Sequence, residues 1–359
     1  MATSRRTVLL SLAAMAAAPR VYAQSGKPLD VVFLYDNPIG DVGWVRQHEL
    51  GRLALEKALA GKVKTRYVQV ATGADSERVM RTLAQGGTDL IYGVSFGYMT
   101  PMSKVAKQFP KTIFMNCQGF MTSRNMGVYA ARTYEGFYLN GILAAKMSKT
   151  GVVGFIASMP VPEVIQDLNA LMIAMRSVNP KAVLKVTWLN TWYDPGRERE
   201  AANALLTDGA DILISELSSP VAVQVAQEKG AYAATFQSDM AKYGPKSQLS
   251  CALLDWSGFY IRNTQAVLDK TWKSGNEWLG VKEGGVRMVA LNDDIPADVK
   301  ELVARLETGF EDGSLKPFTG PIQDQDGKER VAAGVSLTDE QLHKLDWLTA
   351  GIQGRLPSN

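Results

Sequence analysis

The sequence predicts an α/β protein made of two doubly wound parallel-sheet lobes. Short apolar runs typical of strands alternate with helix-period segments from residue 28 onward, and the alternation restarts near residue 151. Strands that alternate with helices pair in parallel through right-handed crossovers. The 359 residues also exceed what one hydrophobic core usually organises. Two domains are therefore expected.

The first residues have the order of charge and hydropathy of a secretory signal. Arg5-Arg6 precedes an apolar run at 7–18, and the small-residue site at 21–23 follows. The run is shorter than the roughly 20 residues that a membrane-spanning helix needs. We therefore expect residues 1–23 to be cleaved and the mature protein to be periplasmic. The two arginines also fit the twin-arginine route, and both export routes stay open.

The first predicted unit has strands at 30–35, 64–70, 90–94 and 112–116 and helices at 45–59, 76–85 and 99–108. The strands are short runs rich in β-branched and aromatic residues, whereas the helices repeat their apolar residues every three to four positions. A long helix at 134–146 follows without a Pro/Gly/Ser-rich tether. The lobes are therefore expected to be joined tightly.

The second predicted unit repeats the plan of the first. Its strands lie at 151–157, 185–189, 212–216, 231–236 and 248–254, and its helices lie at 162–178, 197–208, 221–229 and, briefly, near 240. Ligands of open parallel sheets lie beyond the carboxyl ends of the strands. With two sheets facing each other, the predicted site is the cleft between them.

Two tryptophans in the loops after these strands suggest the kind of ligand. Trp44 follows the first strand of the first unit, and Trp192 follows the second strand of the second unit. One indole from each lobe would form a stacking clamp for a flat ring, although either could instead pack beneath its own loop. The other candidate ligand-binding residues at strand ends are Asp36, Phe96, Tyr98, Asn116, Ser218, Gln237, Asp239, Asp255 and Trp256.

Composition excludes several classes of function. The whole chain has 39 basic and 36 acidic side chains, and cleavage after residue 23 removes three arginines, which leaves 36 of each. The sequence contains no Lys/Arg-rich block of the kind that binds nucleic acid. His48 and His343 stand outside any paired metal-ligand spacing, and no nucleophile elbow or phosphate-binding loop occurs. No catalytic residue, cofactor or metal is therefore expected. Cys117 and Cys251 are predicted to be buried small hydrophobes, although pairing in an oxidising compartment stays open.

Several motifs together resemble one protein family. They are GDVGW at 40–44, SFGY at 95–98, YEGFYLNGILAAKMSKTGVVGFI at 134–156, NTWYDPGRE at 190–198, SDM at 238–240 and PFTGPIQDQDGK at 317–328. Over nearly the whole mature chain the sequence resembles the basic membrane protein family of ABC-transporter solute-binding proteins. The resemblance implies a type I periplasmic binding fold, a purine stacked at Trp44 and Trp192, and an ABC permease as partner. We also expect the protein to be a monomer.

The resemblance also implies three crossings between the lobes, near Ala130, at 254–257 and at 288–292. The N-terminal lobe would then comprise 24–130 and 256–289, and the C-terminal lobe 131–255 and 290–359.

Departures from the family pattern bear on the ligand. Gln237 stands where many relatives have an aspartate, Ser218 where nucleobase-binding relatives have Asp, and Asp255 where they have Asn. This altered donor and acceptor pattern favours a purine nucleobase, an oxidised purine or another planar heterocycle over a nucleoside. Two alternative functions stay open. The protein could be a periplasmic sensor that signals to a membrane receptor, or an exported hydrolase or lyase of the same two-lobed shape.

Overall fold

The computed structural model describes residues 27–357, so the predicted signal segment lies outside the described residues. The strands are β1 (Leu29–Tyr35), β2 (Val63–Gln69), β3 (Leu90–Gly93), β4 (Ile113–Cys117), β5 (Met126–Ala131), β6 (Val152–Ala157), β7 (Val183–Trp188), β8 (Ile212–Ser215), β9 (Tyr232–Gln237), β10 (Gln248–Leu254), β11 (Asn276–Leu279), β12 (Val286–Val289), β13 (Ile322–Gln323), β14 (Glu329–Val331) and β15 (Ile352–Gln353).

The helices are α1 (Trp44–Ala58), α2 (Ala74–Gln85), α3 (Met99–Gln108), α4 (Thr133–Met147), α5 (Pro162–Val178), α6 (Pro195–Thr207), α7 (Val221–Lys229), α8 (Ser257–Leu268), α9 (Ala297–Asp312) and α10 (Asp339–Leu342). None of the helices within residues 27–357 is long and apolar enough to cross a membrane.

Two large sheets define the two lobes, as the sequence predicts. The first sheet is all parallel, in the order β11-β5-β4-β3-β1-β2. The second has the order β12-β10-β9-β8-β6-β7-β15, and only the edge strand β12 runs antiparallel to its neighbour. The carboxyl ends of β1, β3 and β4 therefore lie at one edge of the first sheet, and those of β6, β8 and β9 at one edge of the second.

The sequence explains why the central strand β1 and the helix α4, which follows β5, are buried. The last five residues of β1 are buried, since neighbours cover both edges and helices cover both faces of this strand. Helix α4 is buried along residues 133–144 and packs mainly on α5 and β10 of the second lobe. A helix that is apolar on all sides belongs inside a core.

The chain passes between the sheets after β5, after β10 and after β11. The third passage lies between Leu279 and Val286, so the expected position at 288–292 is corrected. The reason is that 286–289 already pair with β10 in the second sheet. Helix α8 begins at Ser257, directly after Asp255 and Trp256. Cys117 and Cys251 lie buried and free in different sheets, which confirms their prediction as small core residues.

Candidate functional site

The N-terminus of α1 brings the two lobes into direct contact. The backbone N–H of Gly43 donates to Ser238 Oγ at 2.8 Å, and Gln47 Nε2 donates to the same oxygen at 2.7 Å. The N–H of Trp44 donates to Ser218 Oγ at 3.3 Å. Both serines follow strands of the second sheet. The first helix of one lobe therefore rests on the carboxyl ends of β8 and β9 of the other, in a closed arrangement.

Two further contacts join the facing edges. Gln118 Nε2, at the end of β4, donates to Glu163 Oε1 in the first turn of α5 at 2.7 Å. Lys242 Nζ lies 3.1 Å from Asp41 Oδ2 at the exposed rim of the cleft. The contact between the two lobes thus includes a solvated ion pair at its rim and a partly buried hydrogen bond between an amide and a carboxyl group.

Ser218 connects the two tryptophans that the sequence singles out. Its hydroxyl oxygen accepts from the N–H of Trp44, and its own N–H donates to the carbonyl oxygen of Trp192 at 3.1 Å. The Trp44 indole Nε1 donates to Val94 O at 2.6 Å, and its ring packs edge-on against His48 at 4.7 Å. The Trp192 side chain is 47% exposed. One indole is therefore fixed in the first lobe, and the other is accessible in the second.

More aromatic surface lies at the ends of β3 and β4. Phe96 is 55% exposed, as a ligand-contacting residue would be before binding. Phe120, which the sequence interpretation did not single out as a ligand-binding residue, is 71% exposed and lies 6.3 Å from Phe96 between ring centroids. Large exposed aromatic side chains usually mark a binding surface.

Two aromatic candidates are buried in core positions. Tyr98 is fully buried among the apolar residues beneath α2 and α3, and its hydroxyl donates to Val70 O at 2.5 Å. Trp256 is 1% exposed and stacks on the buried His48 at 4.6 Å. Their positions at strand ends predict contact with a ligand, but the structure gives them packing roles. Helix formation at 96–108 turns Tyr98 inward.

Asp239 and Asp255 have local structural partners. Asp239 Oδ1 accepts from Gln248 Nε2 at 2.8 Å, and Asp255 Oδ1 accepts from the N–H of Ser257 at the start of α8 at 2.9 Å. Arg287 pairs with the other Asp255 oxygen at 2.8 Å. Both aspartates line a groove of about 420 Å³ between the lobes, and no aromatic side chain of residues 27–357 lines this groove. It therefore does not provide the stacking surface.

Other predicted polar residues present acceptors that lack protein partners. Asp36 Oδ1 and Asn116 Oδ1 are buried without a hydrogen-bond partner among residues 27–357. The Asn116 amide nitrogen is held by Ser95 O at 2.9 Å, which fixes the free oxygen. Gln237, with φ of 67°, accepts from Ser218 Oγ at 3.3 Å. Buried acceptors normally have donors, so Asp36 and Asn116 mark places where a ligand or water donates.

Three carboxyl groups of the second lobe were not predicted. Glu216 directly follows β8, and its Oε2 accepts from Ser158 Oγ at 3.0 Å. Asp167, one turn after Glu163 in α5, accepts from Thr133 Oγ1 at 2.7 Å. A sequence signal existed, because Glu216 ends an apolar strand and Glu163 and Asp167 begin a helix that follows another strand.

Burial shifts the protonation of these acids. Desolvation raises the pKa of Glu163 to about 7 and that of Glu216 to about 8. Desolvation, and then the charge of Glu216, raises the pKa of Asp167 well above its usual range. Burial lowers the pKa of His48, whose Nδ1 lies 2.6 Å from the Tyr260 hydroxyl. At neutral pH the imidazole is therefore neutral, and the carboxyl cluster retains protons.

No group of three or more His, Cys, Asp or Glu side chains that could hold a metal ion occurs in the described part of the chain. The site consists of aromatic faces, carboxyl groups and amides at the strand ends of two closed lobes. Such a site can enclose and hydrogen-bond a small molecule.

Comparisons with known proteins agree with this geometry. Residues 29–308 match the family model Bmp, described as ABC transporter substrate-binding protein PnrA-like. A purine-binding protein of Brucella abortus (strain 2308) is 45% identical over 336 residues, which cover 93% of this chain and 96% of that protein. A putative ABC transporter glucose-binding protein of Haloferax volcanii is 32% identical over 333 residues, covering 93% and 82% respectively.

A solved structure of an ABC transporter solute-binding protein from Aeropyrum pernix K1 has a TM-score of 0.70 at 21% identity, and the match covers 83% of this chain and 95% of that one. This likeness supports the two-lobed fold. Members of such families bind small molecules and work with a permease, and they are typically not enzymes. The chain therefore belongs to the Bmp family of PnrA-like ABC transporter substrate-binding proteins.

Proposed function

We propose that this protein captures a purine nucleobase, or a closely similar planar nitrogen heterocycle, between its lobes and delivers it to an ABC permease. The observation that carries the proposal is the junction at Ser218, which hydrogen-bonds the backbone of Trp44 in one lobe and of Trp192 in the other. A flat ring between these indoles would contact both lobes at once. Binding would then favour the closed form, because only that form offers both faces.

The polar lining supports a ligand rich in N–H donors. The free oxygens of Asp36 and Asn116 are buried acceptors, and no Lys or Arg side chain hydrogen-bonds to them among the described residues. A phosphate or carboxylate ligand would face acceptor oxygens there rather than a basic side chain. A nucleobase instead provides N–H groups at its edge and a π face for stacking.

A sugar is the second candidate ligand, since one relative is named as a putative glucose-binding protein. Sugar hydroxyls would also donate to the free acceptors. The purine is favoured because the relative named as purine-binding is more similar, at 45% against 32% identity. A sugar also lacks the flat π face that would stack on an indole from each lobe.

We also propose that the protein acts in the periplasm as a monomer. Export is supported by the order of charge and apolar residues at 1–23 and by the usual location of the family. The permease in the inner membrane would then receive the ligand from the closed protein. Cleavage after residue 23 is tested by the mass of the mature protein.

The test is a ligand screen with the purified mature protein. Native mass spectrometry should detect bound purine, and denaturation should release it chemically unchanged, as expected for a binding protein. In a thermal-shift panel of adenine, guanine, hypoxanthine, xanthine, urate, cytosine and glucose, a purine should stabilise the protein. At 100 times Kd the gain is about 2.7 kcal/mol. Stabilisation by glucose alone would contradict the proposal, and release of a converted product would support the enzyme alternative.

A further inference from the structure

The Trp44 indole is held by three groups of the first lobe. Its Nε1 donates to Val94 O at 2.6 Å. Its ring meets the rings of His48 and Trp256 nearly at right angles, at 72° and 75°, with centroids 4.7 and 5.6 Å away. Edge-to-face aromatic pairs at such distances are favourable. One hydrogen bond and two aromatic contacts therefore fix this partly buried ring.

The two rings that support Trp44 form a rigid pair. His48 and Trp256 stack with an interplanar angle of 15° and centroids 4.6 Å apart. The imidazole is anchored in turn, because His48 Nδ1 lies 2.6 Å from the Tyr260 hydroxyl, which lies 2.9 Å from the Tyr129 hydroxyl. All four of these side chains are buried. The stacked pair is therefore a fixed wall against which the Trp44 ring rests.

Helices α1 and α8 come close together at this wall. A Cβ atom at Gly51 would lie 2.8 Å from Tyr260 Cδ2 and 3.1 Å from Trp256 Cβ. Residue 51 is therefore glycine because a larger residue would push the two helices apart. Interiors packed this tightly keep their side chains in single rotamers. The indole of Trp256 thus has little room to move away from Trp44.

Holding the Trp44 ring in one orientation has a value for binding that can be worked out. A tryptophan side chain has about six rotamers, since χ1 has three staggered wells and χ2 is roughly two-fold. A ligand that stacks on only one of them loses affinity in proportion to the fraction of protein with the ring elsewhere. Support of the ring is therefore worth up to about sixfold in affinity.

We propose that Trp256 and His48 are positioning residues, which hold the Trp44 indole in the orientation in which it stacks on the bound molecule. This inference rests on the proposed function and adds two residues that act without touching the ligand. Trp256 is 1% exposed and His48 is fully buried, so neither presents a surface to the cleft. Their effect on affinity passes through Trp44.

The first test measures adenine affinity by calorimetric titration in variants of Trp256. Trp256→Leu removes the supporting ring, so affinity should fall about threefold to sixfold. Trp256→Phe keeps an aromatic face toward Trp44, so it should bind adenine nearly as the wild-type protein does. Recovery by this conservative change would show that the ring contact matters for binding.

The matched control is Phe259→Leu in the same helix. Phe259 is also buried, but its ring packs on Tyr129 at 4.5 Å rather than on Trp44. Phe259→Leu and Trp256→Leu should both lower the free energy of unfolding, because each truncates a buried ring. Only Trp256→Leu should lose adenine affinity. A loss of affinity in Trp256→Leu no larger than that in Phe259→Leu would overturn the inference.

A double-mutant cycle shows whether the effect passes through Trp44. In the Trp44→Ala background, Trp256→Leu and His48→Leu should cause no further loss of adenine affinity, because the ring that they position is absent. In the wild-type background each should lower the affinity. Equal losses in both backgrounds would mean that these residues act on binding by another route, and would overturn the inference.

Fluorotryptophan-labelled protein provides a readout that requires no ligand. In the wild-type protein Trp44 should give one narrow fluorine resonance, identified by its loss in Trp44→Phe, because its ring has one orientation. In Trp256→Leu this resonance should broaden or split, whereas in Phe259→Leu it should stay narrow. Several Trp44 resonances in the wild-type protein, or an unchanged resonance in Trp256→Leu, would overturn the inference.

The outcomes separate this inference from the proposed function. A loss of adenine affinity in Trp44→Ala without one in Trp256→Leu would overturn the positioning role and leave purine capture intact. Unchanged affinity in Trp44→Ala would contradict the stacking on which both proposals rest. Absence of binding to every purine by the wild-type protein would overturn the proposed function, and the fluorine spectra would still decide whether Trp256 fixes the Trp44 ring.

Discussion

Replacing Gly43 by alanine should weaken ligand binding because it obstructs closure of the lobes. A Cβ atom at Gly43 would lie 2.5 Å from Ser218 Cβ, 2.9 Å from Ser218 Oγ and 3.0 Å from Ser218 Cα. Gly43 belongs to the first lobe and Ser218 to the second, so these contacts exist only when the lobes are closed. The added methyl group therefore acts against the closed form in particular.

The size of the effect follows from the overlap. Inserting a methyl group into a packed contact costs about 1–3 kcal/mol, and each 1.4 kcal/mol is a factor of ten, so affinity should fall about 5-fold to 150-fold. The backbone adds a second cost. Gly43 has φ of 91° and ψ of −168°, a conformation essentially restricted to glycine. This strain is present whether the lobes are open or closed, so it should lower stability more than affinity.

Gly73→Ala is the matched control. Gly73 also precedes a helix with positive φ, at 98°, but a Cβ there would have no neighbour within 4 Å. Both variants should therefore lose stability in denaturant unfolding, and only Gly43→Ala should lose affinity in calorimetric titration with a purine. Adding Ser218→Gly removes the Cβ and Oγ that obstruct closure, so the Gly43→Ala penalty should shrink in that background. Equal affinity of the two alanine variants would refute the reasoning.

The remaining predictions concern stacking on Trp192, the buried Tyr98 and the dependence of stability on pH. Trp192→Ala should weaken purine binding by about 1–3 kcal/mol in a fluorescence titration, with little effect on thermal stability, because Trp192 is exposed. The control Tyr193→Ala, at the adjacent exposed residue, should leave purine affinity unchanged. Equal losses of affinity in the two variants would contradict stacking on Trp192. Tyr98→Phe should lower the free energy of unfolding by about 1–3 kcal/mol, because the buried hydrogen bond to Val70 O is lost. Its affinity for a purine should be unchanged. Weaker purine binding would show that Tyr98 does contribute to the ligand site. Because the pKa of Glu216 is raised from 4.5 to about 8, its contribution to the stability of the ligand-free protein is complete at low pH and is lost as the pH rises through about 8. The melting temperature of the ligand-free protein should therefore fall as the pH rises toward about 8, and that of Glu216→Gln should fall less. Identical slopes for the two proteins would contradict the raised pKa of Glu216.

The sequence by itself determined the architecture and the sheet edge at which the candidate site lies. Strands such as β1 and helices such as α5 are local patterns, because the apolar period shows in the chain without knowledge of its neighbours. Trp44 and Trp192 could be assigned to facing loops for the same reason. The short strands β11 and β15 escaped prediction, since pairing with a neighbour rather than their own composition makes them strands.

Only the tertiary structure decided which side chains at that edge are available to a ligand. Phe96 and Tyr98 are two residues apart, yet one is exposed and the other fully buried, because the turn before α3 directs them to opposite sides. Glu163 and Glu216 are far apart in sequence, and the fold of the second lobe brings them close enough for their charges to interact. Their protonation depends on that burial, which is a property of the assembled lobes and has no local signature in the chain.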